Sequence, residues 1–291
     1  MIMKDIEDWI LWLKAYWLWP AAYRIRQCFG LQPKNSGRDR EDQYSFETAV
    51  KYWTNVPRAK GGNPLNTGNL TQIPVETVVK IFEDERRKAL KKKERRVGFE
   101  TAREILSGLK SPRVLDYGSG FGFYGFEILD RHPESNVTFA DIQENNLRSI
   151  QRVAECKGWK NRMSTFTVRH EQGRDLHFDQ PFDFMISMGV LHHTPYASEI
   201  VRRLTQYLKP GGLFQVLLYN PTYRRCMERI TGKKMSFSAF GKQTDPSVGI
   251  LDNPYSDVYD EEKTRQLFYG YELVRSEHPH LFYDIYQFRK T

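Results

Sequence analysis

The sequence predicts an α/β protein built on a doubly wound, mostly parallel seven-stranded sheet, with an antiparallel last strand and a helical N-terminal extension. Three observations carry this expectation. From residue 113 onward, short apolar runs alternate with amphipathic helical segments, a pattern that requires parallel strands joined by helical crossovers. The first run, Val114-Leu115-Asp116-Tyr117, breaks into Gly118-Ser119-Gly120-Phe121-Gly122 before a helix opens; glycines at this spacing let bare backbone approach a ligand that the helix N-terminus faces. The last two runs are separated only by His278-Pro279-His280, too short for a crossover, so the closing strand runs antiparallel.

The elements follow in chain order. Residues 6–29 hold Trp9, Trp12, Trp17 and Trp19, four of the six tryptophans. Ile6, Trp9, Ile10, Leu13 and Trp17 recur at helical spacing, interrupted by Asp5, Asp8 and Lys14 and closed by Pro20. The run is too short and too charged to span a bilayer, and it lacks the flanks of a secretory signal. It reads as a helix packed on the main domain, with a membrane-interface helix or a lid over an apolar substrate as the alternatives. Residues 30–74 are polar and broken by glycine and proline, with one helical island at 46–53. Helical character returns from 75 to 109. Strands are expected at 113–117, 137–141, 164–168, 182–188 and 213–219. Helices fall near 122–131, 143–157, 196–208 and 260–269, and two last strands near 271–277 and 281–289. The organisation is an aromatic-rich extension or cap over 1–75 and a main domain over 76–291, with an inserted roof at 220–258.

Composition narrows the class. With 291 residues, 27% charged and 14% aromatic, the chain is a soluble globular protein able to bury one large core. Cys28, Cys156 and Cys226 are scattered and odd in number, which fits thiols in a reducing compartment, hence a cytoplasmic location, and gives no metal-ligand spacing. The net charge is +8, and half of it sits in residues 83–96, where eight basic residues from Arg86 to Arg96 interleave with Glu83, Asp84, Glu85 and Glu94. Without aromatics for base stacking, this run reads as a solvated helix face rather than a nucleic-acid surface.

The ordered set of motifs is more specific than any one of them. After the glycine turn come Phe139-Ala140-Asp141-Ile142-Gln143, then Pro181-Phe182-Asp183-Phe184-Met185-Ile186-Ser187-Met188-Gly189-Val190-Leu191-His192-His193-Thr194-Pro195, then Leu208-Lys209-Pro210-Gly211-Gly212-Leu213-Phe214. Over roughly residues 95–291 this set resembles the class I S-adenosylmethionine-dependent methyltransferases, in particular the small-molecule methyltransferase group. The resemblance implies a Rossmann-like sheet and S-adenosyl-L-methionine as cofactor. It implies a cofactor set of Asp116, Gly118, Ser119, Gly120, Gly122, Asp141, Ile142, Gln172, Asp175 and Met188. Asp116 is placed for the cofactor's amino group, Asp141 for the ribose hydroxyls and Ile142 for the adenine face. Gln172 and Asp175 are alternatives for the adenine amino group. A dinucleotide enzyme shares the glycine turn and the later carboxylate, but Phe123 stands where its third glycine belongs.

Methyl transfer is an in-line displacement, so alignment supplies much of the rate, and a base is needed only for a protonated acceptor. His192 and His193, after the fourth strand, and Tyr219, ending the fifth with Asn220 beside it, are the candidate catalytic residues; helix capping and packing is the alternative role for at least one histidine. The expected activity is methylation of a small aromatic or lipophilic acceptor at oxygen. The alternatives are an RNA or protein methyltransferase, and a non-catalytic cofactor-binding or membrane-surface protein using residues 6–29.

Overall fold

The structure is a computed structural model that describes residues 10, 13–18, 21, 44–54, 73–231 and 255–291. Most of the tryptophan-rich segment, the lead-in flanking the 46–53 island, and residues 232–254 of the roof lie outside them. Helices α1 (Phe46–Thr54), α2 (Val75–Leu90) and α3 (Lys93–Ser107) precede β1 (Arg113–Tyr117). Then come α4 (Phe123–Arg131), β2 (Asn136–Asp141), α5 (Glu144–Cys156), β3 (Met163–Thr167), β4 (Phe182–Met188), α6 (Ala197–Gln206) and β5 (Leu208–Tyr219). The chain closes with α7 (Pro221–Thr231), α8 (Glu261–Leu267), β6 (Tyr271–His280) and β7 (Tyr283–Lys290).

The seven strands form one sheet in the order β3-β2-β1-β4-β5-β7-β6. The pairs among β1 to β5 are parallel, and β7 runs antiparallel to both β5 and β6, so the expected single reversed strand is present. The strand order reverses between β1 and β4, and open α/β sheets bind ligands at such a point, beyond the carboxyl ends of the strands.

Period-two side-chain alternation sends successive strand residues to opposite faces. Val114, Phe184 and Ile186 join Val78, Phe99, Phe126 and Ile150 in a core under α2 to α5. Leu115, Met185 and Val216 join Ile200, Leu204 and Phe268 under α6 and α8. Both sheet faces are therefore covered, and the strands read as nearly continuous apolar runs.

Four boundaries differ from expectation, the first being that of β5, which begins at Leu208 rather than at 213. The helical stretch over 75–109 divides, because Lys92 is extended (φ −79°, ψ 128°) and restarts the chain as α3. The hairpin turn falls at Leu281-Phe282 instead of His278-Pro279-His280, since β6 continues through Pro279 with a register shift between Glu277 and His280. Proline is tolerated there because β6 is the sheet edge and the shift removes the need for its missing N–H. The roof segment opens as helix α7 rather than as a loop. At the N-terminus, Lys14–Leu18 form a π-helical turn that packs against α7, with Trp17 and Leu18 exposed. Among the described residues no helix is long and apolar enough to cross a membrane.

Candidate cofactor and acceptor site

The glycine turn joins β1 to α4 by backbone alone. Gly118 and Ser119 N–H groups donate to the Ala140 carbonyl (2.7 and 3.1 Å), and Gly122 N–H to the Ser119 carbonyl (2.7 Å). Gly118 (φ +72°) and Gly120 (φ +53°) are left-handed, a conformation that costs other L-residues about 1 kcal/mol or more. The two differ in what surrounds them. A Cβ at Gly118 would lie 2.3 Å from Val190 Cγ2, whereas one at Gly120 would meet nothing within 4 Å. Gly118 is therefore a packing position, while Gly120 borders open space.

Two buried carboxylates flank that space. Asp141 Oδ2 accepts from Gly120 N–H (2.7 Å) and Oδ1 from Gln143 N–H (2.7 Å). Asp116 Oδ2 accepts from Gly125 N–H in the first turn of α4 (3.1 Å). Burial pushes the Asp116 carboxyl up to about 7, a rise that Gly125 N–H opposes and the Asp141 charge reinforces. Asp141 is pushed up to about 6, also by burial and against its backbone donors. Neither carboxylate has a cation within ion-pair distance among the described residues. A buried carboxylate raised by desolvation with no counter-ion is stabilised by a cationic ligand. The Ser119 Oγ, in the same turn, is buried without a hydrogen-bond partner among the described residues.

The remaining residues expected at the cofactor scatter by role. Gly122 (φ +72°) is the N-cap of α4. Ile142 packs against the second core beside β2. Gln172 Oε1 accepts from Arg174 Nε (3.0 Å). Asp175 Oδ2 accepts from Arg169 N–H (2.6 Å), and its Oδ1 is buried with no partner among the described residues. Met188 belongs to the first core, where its Sδ lies 3.7 Å from Gln215 Nε2.

Helix α1 crosses the carboxyl edge of the sheet. At one side Gln143 Nε2 donates to the Val50 carbonyl (2.8 Å), tying α1 to the end of β2. At the other, the Trp53 ring meets His193 at 4.9 Å, beyond the end of β4. Just ahead of α1, Tyr44 packs edge-on against Tyr196 and Tyr255, both at 6.0 Å. A short helix with little core of its own is thereby held over the crevice by groups that the sequence scatters from Gln143 to Tyr255.

Under α1 lies a cluster of histidine and tyrosine rings. His192 packs 4.2 Å from His193 and 3.9 Å from Tyr219, which stacks on Tyr223 (4.1 Å, 10°) and Tyr283 (5.2 Å, 30°). His192 is buried, and its Nδ1 accepts from Tyr219 N–H (3.3 Å). Burial and the neighbouring His193 hold it well below the usual imidazole range, so it is a neutral strut between β4 and β5. His193 Nδ1 lies 3.0 Å from Ser256 Oγ and 3.2 Å from the Tyr255 carbonyl. Donation to that carbonyl places the proton on Nδ1 and the ring lone pair on Nε2. Burial lowers His193 to about 4, and burial raises Tyr219 well above the usual phenol range. Asn220 takes no part in this ring cluster; its Nδ2 donates to the Leu281 carbonyl and to Asp284 Oδ1, both at 3.1 Å.

Trp53, Tyr223 and Tyr283 were not among the residues expected here. Tyr223 and Tyr283 sit on α7 and β7, and only the sheet order brings β7 beside β5. The signal available in the sequence was the aromatic content of 45–53 and 219–223, without partners assigned.

A family model described as a methyltransferase domain matches residues 115–214. The chain is 28% identical over 127 residues to the ribosomal RNA small subunit methyltransferase G of Prochlorococcus marinus (strain NATL2A), covering 43% of this chain and 49% of that protein. It is 30% identical over 117 residues to the ribosomal RNA small subunit methyltransferase C of Hahella chejuensis (strain KCTC 2396), covering 40% of this chain and 33% of that protein. The chain thus spans half or less of the length of these curated relatives. Among solved structures, the 1,6-didemethyltoxoflavin-N1-methyltransferase of Burkholderia thailandensis, with bound 1,6-didemethyltoxoflavin and S-adenosylhomocysteine, aligns with a TM-score of 0.50 at 17% identity over 75% of this chain and 87% of that one. That likeness is one of fold.

Proposed function

We propose that this chain, which carries a class I S-adenosylmethionine-dependent methyltransferase domain, transfers a methyl group to a small aromatic or lipophilic acceptor at oxygen. The observation that carries this reading is the cluster of the Trp53, His193, Tyr219, Tyr223 and Tyr283 rings beside α1 at the carboxyl edge of the sheet. Flat aromatic walls favour a planar acceptor through offset and edge-on contacts.

The residues present fit the cofactor. Open space at Gly120, two uncompensated buried carboxylates and the orphaned Ser119 Oγ suit a cationic, hydroxyl-bearing ligand. Asp141 would accept from the ribose hydroxyls, Asp116 would meet the ammonium, and Asp175 Oδ1 is better suited than Gln172 to the adenine amino group. When bound, S-adenosyl-L-methionine supplies a methyl group on an electrophilic sulfonium. The protein's own work is to hold the acceptor oxygen in line, exclude water under α1 and receive a proton. His193 is neutral at pH 7 and carries its lone pair on Nε2, so it is our candidate base; His192 holds the strand ends that position it.

The curated relatives act on ribosomal RNA, which keeps RNA as the second reading. Against it, the first three of the run's eight basic residues are held in ion pairs. Arg86 contacts Glu83, Glu127 and Asp130 (3.3, 3.3 and 3.4 Å), Lys88 contacts Glu85 (2.6 Å) and Arg87 contacts Asp84. For residues 6–29 we keep peripheral membrane contact as a proposal, supported by the exposed Trp17 and Leu18, on a protein working in the cytoplasm.

The test is methyl transfer from labelled S-adenosylmethionine to a panel of phenols, aromatic acids, amines and bulk RNA, using wild type and Asp141→Ala. Transfer to a phenolic oxygen that is abolished by Asp141→Ala supports the proposal. Transfer to RNA alone would replace it with the second reading.

A further inference from the structure

Residues 255–259, which lead into α8, belong to neither a helix nor a strand, yet Ser256, Asp257, Val258 and Tyr259 are all buried. An irregular segment inside a protein must have its backbone groups satisfied one by one. Here the ring cluster supplies the partners. Asp257 N–H donates to the His192 carbonyl, beyond β4, and Tyr259 N–H to the Tyr219 carbonyl at the end of β5, both at 2.8 Å. Just ahead of these anchors the segment meets His193, with the Tyr255 carbonyl 3.2 Å and Ser256 Oγ 3.0 Å from its Nδ1.

A charge pair pins the segment. Asp257 is 6% exposed; its Oδ2 accepts from Lys263 Nζ (2.5 Å) and its Oδ1 from Val258 N–H (2.7 Å). The same Nζ donates to the Val258 carbonyl (3.1 Å) and lies 4.5 Å from the centroid of the Tyr259 ring. One ammonium therefore touches three consecutive residues of the segment. Lys263 is held in turn, because its backbone N–H donates to Asp260 Oδ1 at the N-cap of α8 (2.8 Å). A buried carboxylate that loses its cation is costly, so the pair adds its own hold to that of the two backbone anchors.

The consequence falls on the histidine. A neutral imidazole carries one proton, and the hydrogen bond made at one ring nitrogen decides which of the two holds it. A backbone carbonyl only accepts, so while the Tyr255 carbonyl stays at Nδ1 the proton stays there too, and Nε2 keeps its lone pair.

We infer that the Asp257–Lys263 pair is a positioning device for His193: it clamps residues 255–259 against His192 and Tyr219, and the clamped segment keeps the imidazole proton on Nδ1. Both residues act through the segment. The inference deepens the proposed function and rests on its assignment of His193 as base. A ring in the opposite tautomer presents an N–H where a base is needed, and forfeits the roughly 10²- to 10⁴-fold that a base supplies.

Nitrogen NMR of isotope-labelled imidazoles reads the tautomer directly and needs no acceptor. Spectra of wild type, Lys263→Met and Lys263→Arg are compared at neutral pH, with the His193 signals identified by their loss in His193→Gln. Wild type should show a protonated Nδ1 and an unprotonated Nε2. Lys263→Met should shift His193 to a mixture of tautomers, and Lys263→Arg, which keeps the cation, should retain most of the wild-type signal. In turnover of the acceptor found by the panel, Lys263→Met should lower kcat roughly 10- to 100-fold with KM changed less than about threefold, and Lys263→Arg should restore most of the loss. If Lys263→Met does not melt cooperatively, Asp257→Asn, which keeps the shape and drops the charge, takes its place. A wild-type His193 protonated on Nε2 overturns the inference, as does a folded variant whose tautomer matches wild type, whatever its turnover. A tautomer that shifts while kcat holds leaves the clamp standing and overturns instead the assignment of His193 as base.

Discussion

At Asp116 and Asp141 desolvation outweighs the backbone hydrogen bonds, and both carboxyls rise, to about 7 and about 6. For the protein alone, a raised acid contributes stability that is fully present below its unfolded value near 4 and lost as pH rises through the folded value. The lowered His193 works in the opposite sense: its contribution is present above about 6.5 and lost as pH falls toward its folded value of about 4. The two trends oppose each other in a melting curve, so ligand binding is the clearer readout. A cationic ligand favours the ionised carboxylates. S-adenosylmethionine affinity should therefore be highest above pH 7 and fall by up to roughly tenfold per pH unit below it, with a proton released on binding. Titrations from pH 5.5 to 8 in two buffers of different ionisation heat measure both quantities; an affinity flat over that range would refute the assignment. The glycines give a second residue-scale prediction. Gly118→Ala must push its methyl into the stiff Val190 side chain and should cost about 2–4 kcal/mol of stability, summing overpacking and the left-handed backbone. Gly120→Ala should cost only about 1 kcal/mol. Its methyl enters the open space, so S-adenosylhomocysteine affinity should drop at least roughly tenfold by the exclusion of even one contact shell. Thermal melts with and without the ligand separate the two.

Helix α1 has a weak claim to independent existence. At nine residues it is shorter than a helix that persists alone in water, and it holds its place through the Gln143 amide, the His193 ring and burial of Ala49. Trp53→Ala should therefore leave cofactor affinity within a few-fold while raising the acceptor's KM about tenfold or more, the scale of one lost aromatic wall of 1–2 kcal/mol. Steady-state kinetics on whichever acceptor the panel identifies measure this. A change in cofactor affinity with an unchanged KM would assign α1 to the other half of the crevice. The division of the 75–109 stretch at Lys92 has a consequence at this scale too: by restarting the helix it places Arg95 in the first turn of α3, within reach of Tyr124.

For the whole molecule, charge is arranged locally. A net charge of +8 suggests a polyanion, but Arg86, Arg87 and Lys88, three of the eight basic residues of the densest run, are paired, and paired surface charges contribute little to stability or to long-range attraction. The sheet does more to define the molecule. Its reversal of order between β1 and β4 opens the crevice, and the antiparallel β7 beside β5 carries Tyr283 to the ring cluster.

The fold was legible in the sequence because both faces of a parallel sheet are covered. Strands such as Phe182–Met188 become nearly continuous apolar runs, and crossover helices such as Ala197–Gln206 become amphipathic ones. The carboxylates and glycines of the proposed cofactor site stood out in the sequence for a related reason: Asp116, Gly118, Gly120 and Asp141 belong to two consecutive strand ends, where backbone constraint and short separation fix residue type. The turn at Leu281-Phe282 was not, because proline reads locally as a break, and only its place on the sheet edge with a register shift lets the strand run through it. The ring cluster lay further out of reach. Trp53, His193, Tyr219 and Tyr283 come from four separated segments, and whether a cation is paired depends on distances between elements. Local pattern determined the strands, helices and glycine turn of this protein; packing of the elements decided which rings face one another and which charges were left without partners.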